Sequence, residues 1–237
     1  TLSSVATHPL VQRHYPALAA ACGTVATPTI QGMGTLGGNV MLDTRCLWYN
    51  QSTFWRGALG GCLKCEGDIC HVAPQGQGCY AVHSADTVVI LLLLNAELEI
   101  SSIRGTRRLL LEKLYTDDGI HWALLEPGEL ITRILLPPTS HARLAFRKLR
   151  ARGSIDYPLL LTGVRIDLND KDQPIGGRIT LSAVGPRPIE VSDVSDLIAQ
   201  MKHEEAAESA WSQAFPLPTH QWSTTWRKKM VRVEVAR

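Results

Sequence analysis

Five of the six cysteines of this 237-residue chain lie between Cys46 and Cys79, a span of 34 residues. That crowding constrains the fold more than any other feature. Thiols this close can form a disulfide knot, hold zinc or carry an iron–sulfur cluster. Disulfides are the weakest reading. The chain is 45% apolar and long enough to bury a full core, so it does not need covalent staples. The thiols also cluster in one Gly-rich segment, whereas staples join distant parts of a chain. Zinc would use Cys62-x2-Cys65 as a knuckle, completed by Cys70, His71 or Cys79. A cluster needs four converging thiolates, and the candidates Cys46, Cys62, Cys70 and Cys79 have gaps of 16, 8 and 9. Those gaps miss the compact ferredoxin spacing. The residues alone leave zinc and cluster both open.

Around this segment the chain reads as an ordinary α+β protein. Residues 8–22 predict one or two short helices, with Pro16 in a first turn. Gln31–Asn39 is a Gly-rich loop, and Thr87–Leu94 is an apolar run of eight residues. That run is far short of the roughly 20 residues that span a bilayer, so it is expected as a buried helix or strand, with Ser84 or Asp86 as a cap. Residues 95–100 alternate as a strand, Arg104-Gly-Thr turns, and a strand within 126–137 stops at Pro137-Pro138. Beyond that stop, 142–150, 159–168 and 177–184 predict a three-stranded antiparallel meander, and 192–213 and 222–235 predict helices. The expected division is 1–137 and 138–237. With 24 basic and 22 acidic residues, charge gives no case for nucleic acid. No export signal is visible, which makes a cytoplasmic protein the expectation.

Thr35-Leu-Gly-Gly-Asn39 is not a dinucleotide fingerprint. Its paired glycines would still let backbone N–H groups approach a diphosphate, with Thr and Asn side chains as further donors. Gly34–Asn39, Ser84-Ala-Asp86, Ala96–Ile100, Gly128–Ile131 and Phe146-Arg-Lys148 together resemble the FAD-binding medium subunits of the xanthine oxidase family of molybdenum enzymes. The resemblance begins at the second FAD lobe of that family. The stretches Leu42–Cys46, Tyr49–Ser52, Trp55-Arg56, Cys62–Lys64 and Gly67–Val72 further resemble the β subunits of 4-hydroxybenzoyl-CoA reductases, where an inserted loop carries an extra [4Fe–4S] cluster.

The resemblance implies a second FAD lobe with a cluster-bearing insertion at 44–81, followed by a C-terminal α+β domain of the CO-dehydrogenase flavoprotein type. It places the cluster on Cys46, Cys62, Cys70 and Cys79 and leaves Cys65 over. It puts FAD on Thr35, Leu36, Gly37, Gly38, Asn39, Asp86, Leu130 and Lys148. The implied task is electron transfer in a hetero-oligomer with a small [2Fe–2S] subunit and a large subunit carrying molybdopterin-bound molybdenum. A ferredoxin-type donor would feed the reductive removal of a phenolic hydroxyl from 4-hydroxybenzoyl-CoA. The alternatives are the flavin subunit of a hydroxylating xanthine, aldehyde or CO dehydrogenase, and a non-redox module with zinc on Cys62, Cys65, Cys70 and Cys79. No nucleophile–base pair suggests chemistry on substrate within this chain.

Overall fold

The computed structural model describes residues 1–139 and 141–237 and has an α+β architecture with two antiparallel sheets. Six short helices come first: α1 (Leu2–Thr7), α2 (Pro9–His14), α3 (Pro16–Gly23), α4 (Pro28–Met33), α5 (Leu36–Val40) and α6 (Thr53–Ala58). Proline opens α2, α3 and α4, where its missing N–H leaves no gap in the helix. Residues 31–39, expected as a loop, are the end of α4 and most of α5. The Thr35 hydroxyl accepts from the Gly38 N–H, and that cap offsets the poor helix propensity of two glycines over a single turn.

The apolar run is helical. Helix α7 (Val88–Leu93) buries Val88, Val89, Ile90, Leu91 and Leu93, and a helix apolar on every side belongs at the centre of a core. The expected cap at Ser84 or Asp86 is not made. Thr87 stands at the N-cap but its hydroxyl donates to Asn39 instead of capping the helix, and Asp86 is committed to Lys148.

The first sheet joins β1 (Glu97–Ser102), β2 (Gly105–Leu110) and β3 (Leu130–Leu135) in the order β2-β1-β3. The second runs β4 (Ala142–Leu149), β5 (Leu160–Leu168), β6 (Pro174–Ser182), β7 (Ile189–Glu190) as a meander. It thus has a fourth, two-residue strand beyond the three expected. One face packs on α7 through Gly163, where a Cβ would stand 2.8 Å from Leu93 Cδ1. The opposite face is covered by α8 (Ser195–Ala199), α9 (His203–Gln213) and α10 (Thr224–Ala236). A single helix over 192–213 was the expectation, but the chain breaks at Met201, whose φ is +58°. Arg227 of α10 is fully buried, and its guanidinium donates to the carbonyls of Leu159, Ala183 and Leu217. Among the described residues no helix is long and apolar enough to cross a membrane.

Candidate functional site

A cavity of about 540 Å³ opens between α1, α5, the Ser84–Asp86 segment and the chain after β4. Thr35, Gly38, Asn39, Asp86 and Lys148 line it. Leu36, Gly37 and Leu130, singled out with them, do not. A Cβ on Gly37 would face Ile131 at 3.9 Å, and Leu130 is 68% exposed at the start of β3. Asn39 is locked in place: its Oδ1 accepts from Thr87 N at 3.2 Å and Thr87 Oγ1 at 2.7 Å.

Across the cavity Lys148 Nζ donates to Asp86 Oδ2 at 3.0 Å and to Thr24 O at 2.9 Å. Both side chains are buried. Burial pushes the Asp86 carboxyl up to about 6, against the downward pull of Lys148. Oδ1 lies 2.9 Å from Nζ but accepts no aligned hydrogen bond. The cavity wall therefore holds a carboxylate oxygen short of a donor, which a ligand hydroxyl or N–H could supply.

Cys46, Cys62, Cys70 and Cys79 line a second, tight cavity with Trp48 and Lys64. Cys65 is not part of it and is only half buried. All are free thiols. Burial raises Cys46 above the usual thiol range and takes Cys79 up to about 11. Among the described residues no three Cys, His, Asp or Glu side chains close on one point as the ligands of a single ion would.

Local backbone geometry explains the arrangement. Arg45 and Val82 pair as an antiparallel bridge, N to O at 3.0 and 2.7 Å, so the cysteine segment starts and ends at adjacent points. Cys62 and Cys65 pair across a tight turn. That turn needs Gly61, at φ +74°, and Gly67, where a Cβ would sit 2.6 Å from Cys62 N. His71, a zinc candidate, lies with Nε2 2.6 Å from Gly61 O as a donor instead.

Two residues escaped the sequence reading. Lys64 sits inside the Cys62–Cys65 turn, and its ammonium is within 2.9 Å of four oxygens. Gly119, far along the chain, lies so close that a Cβ there would be 2.8 Å from Cys79 Sγ. A lysine between two paired cysteines was a visible signal, whereas nothing local marked Gly119. A third cavity, about 210 Å³, shares Cys46 with the thiol cavity and Ser84 and Tyr157 with the larger one. This third cavity therefore borders both candidate sites.

Residues 1–139 match the family described as the FAD binding domain in molybdopterin dehydrogenase. The chain belongs to this family. It is 33% identical over 204 residues to the aldehyde oxidoreductase FAD-binding subunit of Escherichia coli K12, covering 81% of this chain and 62% of the relative. It is 23% identical over 200 residues to the nicotinate dehydrogenase FAD-subunit of Eubacterium barkeri, covering 84% and 55%. The chain thus spans somewhat over half the length of these relatives. In fold it is similar to the carbon monoxide dehydrogenase of Hydrogenophaga pseudoflava that lacks the Mo-pyranopterin moiety, with TM-score 0.75 and 16% identity, over 100% of this chain and 70% of that one.

The matched part of this FAD-binding domain contains all four cavity cysteines, the Thr35–Asn39 turn and Asp86, while Lys148 comes from β4 beyond it. The larger cavity fits FAD on its own chemistry. Gly38 and the capped start of α5 present backbone to the cavity without a Cβ between them, and Asp86 offers an acceptor to a hydroxyl. The thiol cavity fits a sulfur-bound cluster by its donor set: four free cysteines and no other metal-ligating side chain except His71, which is engaged elsewhere.

Proposed function

We propose that the chain is the FAD-carrying, electron-transferring part of a molybdenum hydroxylase-type oxidoreductase complex, with a [4Fe–4S] cluster on Cys46, Cys62, Cys70 and Cys79. The observation that carries this reading is the third cavity, which borders both sites by sharing Cys46 with one and Ser84 and Tyr157 with the other. A cluster exchanges single electrons and a flavin one or two, so such neighbours suit a relay. The chain's own residues hold and insulate. Thr35, Gly38 and Asn39 form the cradle for the diphosphate side of the flavin, and Asp86 and Lys148 set the charge of its wall. Trp48, Tyr49 and Leu63 pack around the thiols and keep water away.

Substrate chemistry belongs to a partner. The oxidative reading, in which an aldehyde or N-heterocycle is oxidised on a large molybdenum subunit and electrons pass through a small [2Fe–2S] subunit to FAD, is supported by relatives named as aldehyde oxidoreductase and nicotinate dehydrogenase subunits. Reductive dehydroxylation of 4-hydroxybenzoyl-CoA, fed by a ferredoxin, stands second and is favoured only by the cysteine segment. Structural zinc is disfavoured because Cys46 lines the thiol cavity and Cys65 does not.

The test is an anaerobic purification with all co-purifying chains, followed by iron, acid-labile sulfide, zinc and flavin assays. About four iron and four sulfide per chain beyond those of any co-purifying [2Fe–2S] subunit are expected, lost in Cys46→Ser and kept in Cys65→Ser. Zinc without iron, lost in Cys65→Ser and kept in Cys46→Ser, would refute the relay. Turnover of aldehydes with an artificial acceptor, against dehydroxylation with a strong reductant, separates the two substrate readings.

A further inference from the structure

We propose that Lys64 is the fixed positive charge of the thiol cavity: it ties the Cys62–Cys65 turn to the body of the protein and biases the one-electron centre held there towards its reduced state. The inference rests on the cluster reading above and assigns that site a potential-setting residue.

The geometry is specific. The Lys64 side chain is 8% exposed, and a buried ammonium is costly unless its protons are taken up. Here Nζ is 2.6 Å from Asp43 Oδ1, 2.9 Å from Thr44 O, 2.6 Å from Thr44 Oγ1 and 2.8 Å from Gly119 O. Asp43 and Thr44 precede the cysteine segment, and Gly119 belongs to the loop packed on Cys79. One side chain therefore fastens the cysteine turn to both walls of its cavity. Nζ also lies 5.3 Å above the Tyr49 ring, and Tyr49 N donates to Cys46 Sγ at 3.4 Å.

The charge is only partly offset at the cavity. Lys64 lines the thiol cavity, whereas its partner Asp43 does not, and Asp43 is 40% exposed, so water screens it. The other charged groups nearby are turned to separate tasks. Arg45 is half exposed and 3.7 Å from Asp43, Arg56 donates to the carbonyls of Tyr49 and Gln51, and Asp118 accepts from Cys79 N. Reduction adds one electron, and hence one negative charge, to a thiolate-bound cluster. A desolvated cation in the wall stabilises that form over the oxidised one.

The experiment is a spectroscopic redox titration of the complete complex, with iron and sulfide measured on each sample. Lys64→Gln should lower the ratio of reduced to oxidised cluster at a fixed ambient potential about tenfold, equivalent to 59 mV for a one-electron couple. Lys64→Arg should stay near the wild-type ratio, and Asp43→Asn should move it the opposite way, towards the reduced form. Wild-type iron in Lys64→Gln with an unchanged ratio overturns the proposal. So does an Asp43→Asn shift in the same direction as Lys64→Gln. Where Lys64→Gln keeps only the iron of the [2Fe–2S] subunit, the sign of the Asp43→Asn shift decides. A wild-type complex with no iron beyond that of its [2Fe–2S] subunit refutes the cluster reading itself, and this inference falls with it.

Discussion

Removing Lys148 is the sharpest test of how the flavin cavity is held together. Its side chain is 4% exposed and that of Asp86 is 7% exposed, so the pair is effectively out of water. In Lys148→Met, Asp86 keeps its burial and loses its cation, and Thr24 O loses a donor. Breaking a buried pair from one side costs about 3–5 kcal/mol, because a charge is left uncompensated. For a chain of this length each kcal/mol moves Tm by about 2–4 °C, so a fall of roughly 6–20 °C is expected in thermal melts of the flavin-free protein. Asp86→Asn in the same chain removes the stranded charge and should recover part of the loss, with a coupling of ~2 kcal/mol in the double-mutant cycle. The pH dependence has a definite sign. The Asp86 carboxyl is already raised by burial, and without Lys148 only the weaker pull of Arg150 opposes that rise. Its folded form then favours the proton, and Lys148→Met should gain stability as pH falls below 7. A Tm drop under about 3 °C, or strictly additive single variants, would refute this account.

Two further outcomes follow from buried groups away from the cavities. His83 is fully buried against Tyr115 and Trp122, its ring nitrogens lack partners, and burial lowers its pKa from 6.5 to about 4. The folded state prefers neutral imidazole, so stability is intact above 6.5 and falls as pH drops towards 4, by up to ~3 kcal/mol at 1.36 kcal/mol per pKa unit; His83→Leu should flatten that limb in urea titrations, and an unchanged limb would remove His83 from the account. Arg227→Met would leave the carbonyls of Leu159 and Ala183 without their guanidinium donor, and Leu217 O with Thr219 alone donating to it, at a cost of ~3 kcal/mol, and a loss under ~1 kcal/mol by denaturant unfolding would show that these bonds do not anchor α10.

What could be read in the sequence was what local pattern encodes. Alternating residues from 142 to 182, broken by Asn169–Pro174, became β4, β5 and β6 because side-chain alternation and polar turns are both local. The apolar run became α7, although pattern alone could not separate a buried helix from a strand. The cysteine set was named by resemblance rather than by spacing, and the four named are the four that share a cavity. The misses are long-range or hidden by propensity. Asp86 looked like a cap because its partner Lys148 is 62 positions away, and Gly119 drew no notice because it meets Cys79 only in the folded chain. Leu130, named by motif, stands exposed at the start of β3 and outside the larger cavity. The resemblance to a phenol-removing reductase came from the cysteine segment alone, while the relatives identified over most of the chain are named for oxidations.

The Arg45–Val82 bridge has a consequence for how such a chain could come to exist. Residues paired in an antiparallel bridge sit about 5 Å apart, a gap that a short turn can close. The 36 positions between them (46–81) therefore enter and leave the frame at almost the same spot, although Lys64 and Leu47 also tie the segment to Asp43, Thr44, Gly119 and Thr219. Splicing such a segment in or out leaves β1, α7 and the Thr35–Asn39 cradle in register, since none of them lies inside it. Gain or loss of the segment in a single genetic step would thus spare the frame's own elements, and would change the surroundings of Thr44, Gly119 and Thr219, which it bonds.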